Sequence, residues 1–221
     1  MINPATVINP VTGKHQAVRN IYCVARNYIS HAAELGNSVP SEAVFFQKST
    51  TSLTTDRVVE LPDSGMIHHE LEIVVLIGQA GKNITSEKAW EHVAGIALGL
   101  DFTDRSAQQR LKERRLPWFW AKSFSNAAFV TSFEQFDEAR WQQPFTLTVN
   151  DNDVQRGIMA EMVFPIPELL TRLSSRIPLV SGDLLFTGTP DGVGQITDGD
   201  RLGISLGNKQ FATIMIKMTE H

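Results

Sequence analysis

The stretch from His68 to Gly78, which reads HHELEIVVLIG, constrains the fold more than any other part of the chain. After Glu72 it is a run of β-branched and leucine side chains, which is typical of a buried strand. Glu70 and Glu72 open this run, and side chains two residues apart in a strand share a face, about 7 Å apart. We therefore predict one core strand, with Leu71, Ile73 and Val75 facing the core and both carboxylates facing the other way.

Two carboxylates at the start of a core strand need compensation, because two negatively charged carboxylates that lie this close together raise each other's pKa. A third acid, Asp101, ends the apolar run GIALGL. A divalent cation held by Glu70, Glu72 and Asp101 would satisfy all three, and an oxygen-only ligand set favours Mg²⁺ first, then Mn²⁺ or Ca²⁺. The alternative is a solvated strand start with lysine or arginine partners, and the pattern leaves both interpretations open.

The rest of the chain predicts an α+β, strand-rich fold with short peripheral helices. Helices are predicted at 26–36, 85–95 (capped by Thr85 and closed by Gly95), 106–115 and 166–176. The alternating segment 145–157 predicts a hairpin that turns at 150–153. Residues 1–19 read as a short irregular or hairpin lead-in, and no linker divides the chain, so we expect a single domain over 1–221.

Composition excludes several classes of protein. The net charge is −4 without a basic run, which argues against nucleic acid as a partner. The longest apolar runs are too short to span a bilayer, so no membrane association is expected. The N-terminus carries no secretory signal pattern, and the one cysteine, Cys23, has no second cysteine in the chain to pair with. A cytoplasmic location follows as the default expectation.

Three further features could carry chemistry. His31 and Glu34 lie at i, i+3 on a predicted helix, where a carboxylate-oriented imidazole could act as a general base; a plain surface pair is the alternative. Lys122 in WAKSF is either a buried anion clamp or a lysine whose head reaches solvent. The loop TGTPDGVG (187–194) has glycines that let backbone approach a ligand, although it lacks the lysine of a phosphate-binding loop.

Six segments, taken in order, resemble the fumarylacetoacetate hydrolase family: CVARNYISHAAELG, FFQKS, HHELEIVVLIG, GLDFTDRSAQ, LPWFWAKSF and LFTGTPDGVG. They cover about residues 20–194, and together they are far more specific than any one of them. The resemblance is to the compact single-domain branch, which contains acylpyruvate hydrolases, oxaloacetate decarboxylases and oxaloacetate tautomerases. It implies a mixed β-sheet roll that nearly closes into a barrel, and a homodimer.

The resemblance also implies roles for individual residues. Glu70, Glu72 and Asp101 match the metal ligands. His31 and Glu34 match a catalytic pair on a lid helix that activates water, and Lys122 matches a lysine facing the oxygens of the substrate. The remaining matches are to substrate-binding positions, namely Arg26, Lys48, Arg105, Gln108 and Thr189.

Departures from the family pattern concern the pocket rather than the ligands. The usual T-A-R-D reads Thr103-Asp104-Arg105-Ser106 here, so an ion pair at this point is in question. Met159 replaces a common threonine, and Ser49 replaces a proline.

The resemblance implies a divalent-metal enzyme acting on small 2-oxo acids, in the first place acylpyruvate or fumarylpyruvate C–C bond hydrolysis. Oxaloacetate tautomerisation or decarboxylation, a dienoate isomerase activity and a metal-stabilised binding protein are the alternatives.

Overall fold

The computed structural model describes residues 5–29, 41–63 and 65–220. Within these ranges the strands are β1 (Thr6–Ile8), β2 (His15–Ala17), β3 (Ile21–Ala25), β4 (Val44–Lys48), β5 (Leu53–Thr54), β6 (Val58–Pro62), β7 (Ile67–His69), β8 (Leu71–Ile77), β9 (Val93–Asp101), β10 (Thr103–Asp104), β11 (Ala128–Val130), β12 (Phe145–Val149), β13 (Asn152–Gly157), β14 (Leu184–Phe186), β15 (Gly194–Gln195), β16 (Arg201–Leu206) and β17 (Lys209–Thr219). The helices are α1 (Arg105–Glu113), α2 (Phe119–Lys122), α3 (Glu138–Trp141) and α4 (Ile166–Arg176), with 3₁₀ helices at Thr50–Ser52, Ser86–His92 and Met159–Glu161.

Two large mixed sheets dominate this architecture. The seven-stranded sheet has the order β4-β3-β14-β8-β9-β11-β5 and curls into a half-barrel. The five-stranded sheet has the order β13-β12-β16-β17-β6. Two smaller sheets, β10-β7-β15 and the β1-β2 hairpin, complete it. The predicted α+β, strand-rich class is confirmed, and so is the hairpin in the N-terminal lead-in.

Strand β8 lies at the centre of the seven-stranded sheet and is buried on both faces. Leu71, Ile73 and Val75 pack in one apolar cluster, whereas Val74 and Leu76 pack in a second cluster on the opposite face. The prediction of a single core face was therefore incomplete. A strand covered on both sides reads as a continuous apolar run, which explains the LEIVVLI sequence.

The predicted single strand is broken at Glu70, where the chain passes from one sheet to another. Residues 67–69 form β7 in the three-stranded sheet, and residues 71–77 form β8 in the seven-stranded sheet. Glu70 itself belongs to neither strand, although its carbonyl oxygen accepts a hydrogen bond from the N–H of Asp101 at 2.9 Å. The break places the two glutamates at the junction of two sheets.

The helix predictions had mixed outcomes. Helix α1 and helix α4 match the predicted 106–115 and 166–176. The segment predicted as a helix at 85–95 is a 3₁₀ helix that ends at His92, and Gly95 lies inside β9 rather than at a helix stop. The predicted helix at 26–36 does not begin at Arg26. The φ of Arg26 is +59°, which is not helical, and Tyr28 makes a β-bridge to Met162. Residues 30–36 lie outside the described ranges.

The predicted hairpin at 145–157 is present as β12 and β13, with a tighter turn than expected. Asn150 and Asp151 both have positive φ, +50° and +66°. Two consecutive left-handed residues make the two-residue turn whose twist matches that of the flanking strands. Asparagine and aspartate tolerate this conformation better than other residues with a Cβ atom.

Helices α2 and α3, of four residues each, were not predicted. No helix in the described ranges is long and apolar enough to cross a membrane. The single-domain organisation over 1–221 stays a prediction.

Candidate active site

Three buried carboxylates, Glu70, Glu72 and Asp101, form an acid cluster in which one oxygen of each lies within 4.8 Å of the others. The pairing of β8 with β9 assembles the cluster, because Leu71 faces Leu100 in an antiparallel register. Asp101 at the end of β9 is thereby carried next to Glu70. Glu72 of β8, Asp101 of β9 and Glu70, which directly precedes β8, therefore meet at one point.

Lys122 is buried against the acid cluster at the end of α2. Its ammonium donates to Glu70 Oε2 at 3.0 Å, Asp101 Oδ2 at 2.7 Å and Thr103 Oγ1 at 2.6 Å. Burial alone would lower the pKa of Lys122, but the charges of Asp101 and Glu70 outweigh it and raise that pKa. Lys122 is therefore a fixed positive charge, with its three N–H donors directed at the acids and at Thr103.

Lys48 lies behind Asp101, and its side chain is fully buried. Its ammonium is 2.6 Å from Asp101 Oδ1 and donates to the carbonyl oxygens of Phe102, Lys122 and Ala127 at 3.1, 2.6 and 2.8 Å. An ammonium has three N–H donors, and these three carbonyls occupy them. Lys48 thus compensates the charge of Asp101 without giving its Oδ1 a directed hydrogen bond.

Glu72 has less compensation than its neighbours. Its Oε2 accepts a hydrogen bond from the N–H of Gly188 at 2.7 Å, and no lysine or arginine of the described ranges lies within ion-pair distance of it. Burial, with the charges of Asp101 and Glu70, raises the pKa of Glu72 well above its usual value. Gly188 has a φ of +96°, and a Cβ there would come within 2.7 Å of Asn27 Cβ, so the close approach requires glycine.

Helix α1 presents polar side chains to the same cluster. Arg105 donates through one nitrogen to Glu70 Oε1 at 2.6 Å and through another to Gln108 Oε1 at 2.9 Å. The departure at 104 has a structural role, because the Asp104 carboxylate caps α1 by accepting from the N–H of Ala107 at 2.8 Å. Arg105, the next residue, forms an ion pair with Glu70 at 2.6 Å.

The acid cluster fits a divalent metal ion. One oxygen of each acid lies within 4.8 Å of the others, and Glu72 has no lysine or arginine of the described ranges within ion-pair distance. The Glu72 carboxylate therefore has lone pairs available to a cation. An all-oxygen set of three carboxylates suits a hard divalent ion.

The fumarylacetoacetate (FAA) hydrolase C-terminal family model matches residues 20–217, which is most of the chain. The chain belongs to the fumarylacetoacetate hydrolase family. Among curated proteins it is 39% identical over 186 residues to a mitochondrial oxaloacetate decarboxylase of Dictyostelium discoideum, covering 82% of this chain and 85% of that protein. It is 35% identical over 201 residues to an oxaloacetate tautomerase of Escherichia coli, covering 89% of this chain and 92% of that protein.

Solved structures agree with this family assignment. The fold matches that of a fumarylpyruvate hydrolase from Pseudomonas aeruginosa, solved in complex with Mn²⁺ and pyruvate, with a TM-score of 0.89. That alignment covers 98% of this chain and 97% of the other, at 31% identity. In this chain, Glu70 and Glu72 of the acid cluster line a pocket.

The pocket brings together most of the site residues predicted by the family resemblance. Arg26, Glu70, Glu72, Arg105, Gln108, Lys122 and Thr189 line it. Asp101 and Lys48 lie beneath it, since both of their side chains are fully buried. His31 and Glu34 lie outside the described residues, so their predicted role stays a prediction.

Gln155 is a buried site residue that the sequence reasoning missed. Its Oε1 accepts from His69 Nδ1 and from the N–H of Leu71, each at 2.9 Å, and its Nε2 donates to Thr189 Oγ1 at 2.9 Å. Thr189 in turn donates to the carbonyl oxygen of Leu71 at 2.9 Å. The Thr189 hydroxyl can therefore donate to a substrate only by giving up that bond. No local signal in the sequence indicates this burial, because Asp153 and Gly157, which share its face of β13, are not hydrophobic.

Asn27 was also missed, and it joins two loops of the site. Its Nδ2 donates to the carbonyl oxygens of Phe164 and Thr187 at 3.1 and 2.8 Å, and its Oδ1 accepts from the N–H of Phe164 at 2.8 Å. These bonds tie the segment after Arg26 to the loop that carries Gly188. The close contact between Asn27 and Gly188 thus fixes the loop that serves Glu72.

Proposed function

We propose that this protein is a divalent-metal-dependent enzyme acting on oxaloacetate, with keto–enol tautomerisation as its reaction. The observation that carries this proposal is one pocket in which the acid cluster meets the cationic side chains of Arg105 and Lys122. The named activities of the curated relatives, oxaloacetate tautomerase and oxaloacetate decarboxylase, support the choice of substrate.

The proposed chemistry divides between the ion and the side chains. A divalent ion held by Glu70, Glu72 and Asp101 would act as a Lewis acid toward an oxygen that gains negative charge. Lys122 and Arg105 supply fixed positive charge beside that position, which stabilises an enolate without reorganisation. Arg105 has N–H donors beyond the two used by Glu70 and Gln108, so it remains able to bind a substrate oxygen.

The remaining assigned roles form part of the proposal. Gln108, held by Arg105, orients the bound 2-oxo acid, and Arg26 contributes positive charge at the pocket wall. By resemblance to the family, His31 oriented by Glu34 moves the proton. Lys48 was predicted to bind substrate, but its buried position behind Asp101 favours a supporting role.

A second candidate function is hydrolysis of the C–C bond of fumarylpyruvate, with a water activated by His31. The similarity to the fumarylpyruvate hydrolase structure favours it, because that fold match covers nearly the whole of both chains. In both candidates an enolisable 2-oxo acid binds in the same pocket, but the acid is oxaloacetate in the first and fumarylpyruvate in the second. They differ in whether water attacks a distal carbonyl.

The test uses metal-stripped protein to which Mg²⁺ or Mn²⁺ is returned. Conversion of enol to keto oxaloacetate is followed by ultraviolet absorbance, CO₂ release is measured in parallel, and fumarylpyruvate is assayed separately. Metal-dependent tautomerisation without CO₂ supports the proposal. Release of CO₂ would indicate a decarboxylase, and activity on fumarylpyruvate alone would favour the second candidate.

Matched variants connect the activity to the site. Glu70→Gln should lose metal-dependent activity, whereas Glu60→Gln, which removes a surface acid paired with Lys217, should not. Activity that survives both metal removal and Glu70→Gln would refute the proposed site.

The proposal extends to Mg²⁺ as the resident ion, a homodimer and a cytoplasmic location. The hard oxygen ligands favour Mg²⁺, and the dimer follows from the family resemblance. Metal analysis of the purified protein and sedimentation velocity test the first two, and fractionation of the source cells tests the third.

A further inference from the structure

Helix α1 carries three polar residues, Arg105, Gln108 and Lys112, that line the pocket. Their spacing of three and four residues places them on one helix face, which we call the α1 face. Arg105 and Gln108 are already bonded to each other, and Arg105 to Glu70. Lys112 lies one turn beyond Gln108, and it is exposed at the opening of the pocket.

Lys112 forms no ion pair with any acid of the described residues. No carboxylate in the described ranges lies within ion-pair distance of its ammonium, which instead stands 5.7 Å from the centre of the Trp118 ring. The same is true of Arg26, which lines the pocket from another segment. Two cationic side chains, neither of them paired with an acid of the described part of the chain, therefore line the same pocket.

The surroundings of Lys112 are cationic. Its pKa is lowered by partial burial and then by the charges of Arg105, Arg26 and Lys122, while Glu70 opposes them. Gathering like charges is unfavourable unless an anion joins them. The three cations nearest the acid cluster are bonded to it, whereas Lys112 and Arg26 are not. Among the described residues, excess positive charge therefore lies at the opening of the pocket, whereas the cations beside the acid cluster are paired.

We propose that Lys112, with Arg26 beside it, binds the second carboxylate of a dicarboxylic 2-oxo acid and so sets a preference for dianionic over monoanionic substrates. This inference rests on the proposed function, because the first carboxylate and the 2-oxo oxygen are taken to bind at the metal side. Lys112 is then a specificity residue, contacting the part of the substrate that does not react.

The test compares two ligands that share the 2-oxo acid head. Oxaloacetate carries a carboxylate where 2-oxobutanoate carries a methyl group. The KM for oxaloacetate and the competitive inhibition constant of 2-oxobutanoate are measured with metal-loaded protein. The shift in melting temperature that each ligand causes gives a readout independent of activity.

Lys112→Gln should raise the KM for oxaloacetate about tenfold, the loss of one charge-assisted contact, with kcat little changed. The inhibition constant of 2-oxobutanoate should change by no more than about twofold. Lys112→Arg, which keeps the charge, should recover most of the oxaloacetate affinity. Arg110→Gln is the matched control, because it removes one positive charge from α1 at a side chain that lines a separate groove.

The outcomes separate the two proposals. Equal weakening of both ligands by Lys112→Gln would overturn the specificity role, and so would no change in either. A wild-type protein that binds metal but neither binds nor converts oxaloacetate would overturn the proposed function, and this inference with it. Because Lys112 is exposed, added salt should also raise the KM for oxaloacetate more than the 2-oxobutanoate constant.

Discussion

Replacing Lys48 by methionine should destabilise the metal-free protein and leave substrate affinity nearly unchanged. Lys48 sits 2.6 Å from Asp101 Oδ1 with both side chains fully buried. Removing one partner of a buried ion pair leaves the other charge uncompensated and costs about 3–5 kcal/mol. The three carbonyl oxygens that lose their donor move the cost toward the upper end of this range.

This magnitude is large enough to measure without ambiguity. At about 2–4 °C per kcal/mol for a chain of this size, the melting temperature should fall by roughly 6–20 °C. Denaturant unfolding gives the free energy directly, provided that the transition is two-state. Lys217→Met is the matched control, because it removes an exposed lysine 2.8 Å from Glu60 and should leave the melting temperature nearly unchanged.

Added metal should have the opposite effect on stability. Loss of the Lys48 charge leaves Asp101 more attractive to a cation, so a divalent ion should stabilise Lys48→Met more than the wild type. A variant with wild-type stability and a raised KM would refute this reasoning, because that result describes a lysine that contacts substrate.

Three other substitutions test separate parts of the site. Glu72→Gln should weaken metal binding at least about 100-fold, as measured by calorimetry. The free energy of unfolding of the metal-free protein at pH 8 should stay level or rise, because an acid with a raised pKa is removed. A large loss of metal-free stability would contradict this. Burial lowers the pKa of His69, so the unfolded chain takes up a proton that the folded protein resists. Stability should therefore fall as pH drops below about 6.5, and the unfolding free energies of wild type and His69→Gln should converge from pH 7.5 to pH 5.5; a constant difference would show that His69 is not responsible. Gln155→Leu should cost about 3 kcal/mol by denaturant unfolding, because its partners lose their hydrogen bonds; Gln47→Leu on the exposed side of β4 is the control, and equal stability of the two variants would be contrary to our account.

The acid cluster could be proposed from the sequence, as one of two open interpretations, because charges inside an apolar run violate the pattern around them. Glu70, Glu72 and Asp101 each interrupt or end a strand that is otherwise buried, and that conflict is visible in the sequence. The same pattern does not reveal that the chain changes sheets at Glu70. Strand exchange depends on which distant segments pair, and β7 pairs with β10 and β15 rather than with neighbours of β8.

Local signals failed where tertiary packing decided the outcome. Gly95 resembles a helix stop, but it lies in β9, where a Cβ would come within 2.6 Å of the Glu134 carbonyl oxygen. The sequence did not single out Gln155, which is buried, or Lys112, to which we assign a role in specificity, because both look like ordinary surface residues. A glutamine in a hairpin looks exposed until its buried partners are known, and a lysine on an amphipathic helix is usually a solvated residue.

The α1 face and the acid cluster come from different parts of the fold, and this separation has a consequence for how selectivity can change. No acid of the cluster lies on α1, so substitutions at 108 or 112 alter one wall of the pocket while the two central strands stay intact. A change at Glu72 or Asp101 instead alters the acid cluster itself. Divergence or redesign toward new substrates is therefore expected to change residues of the α1 face while the acid cluster stays the same.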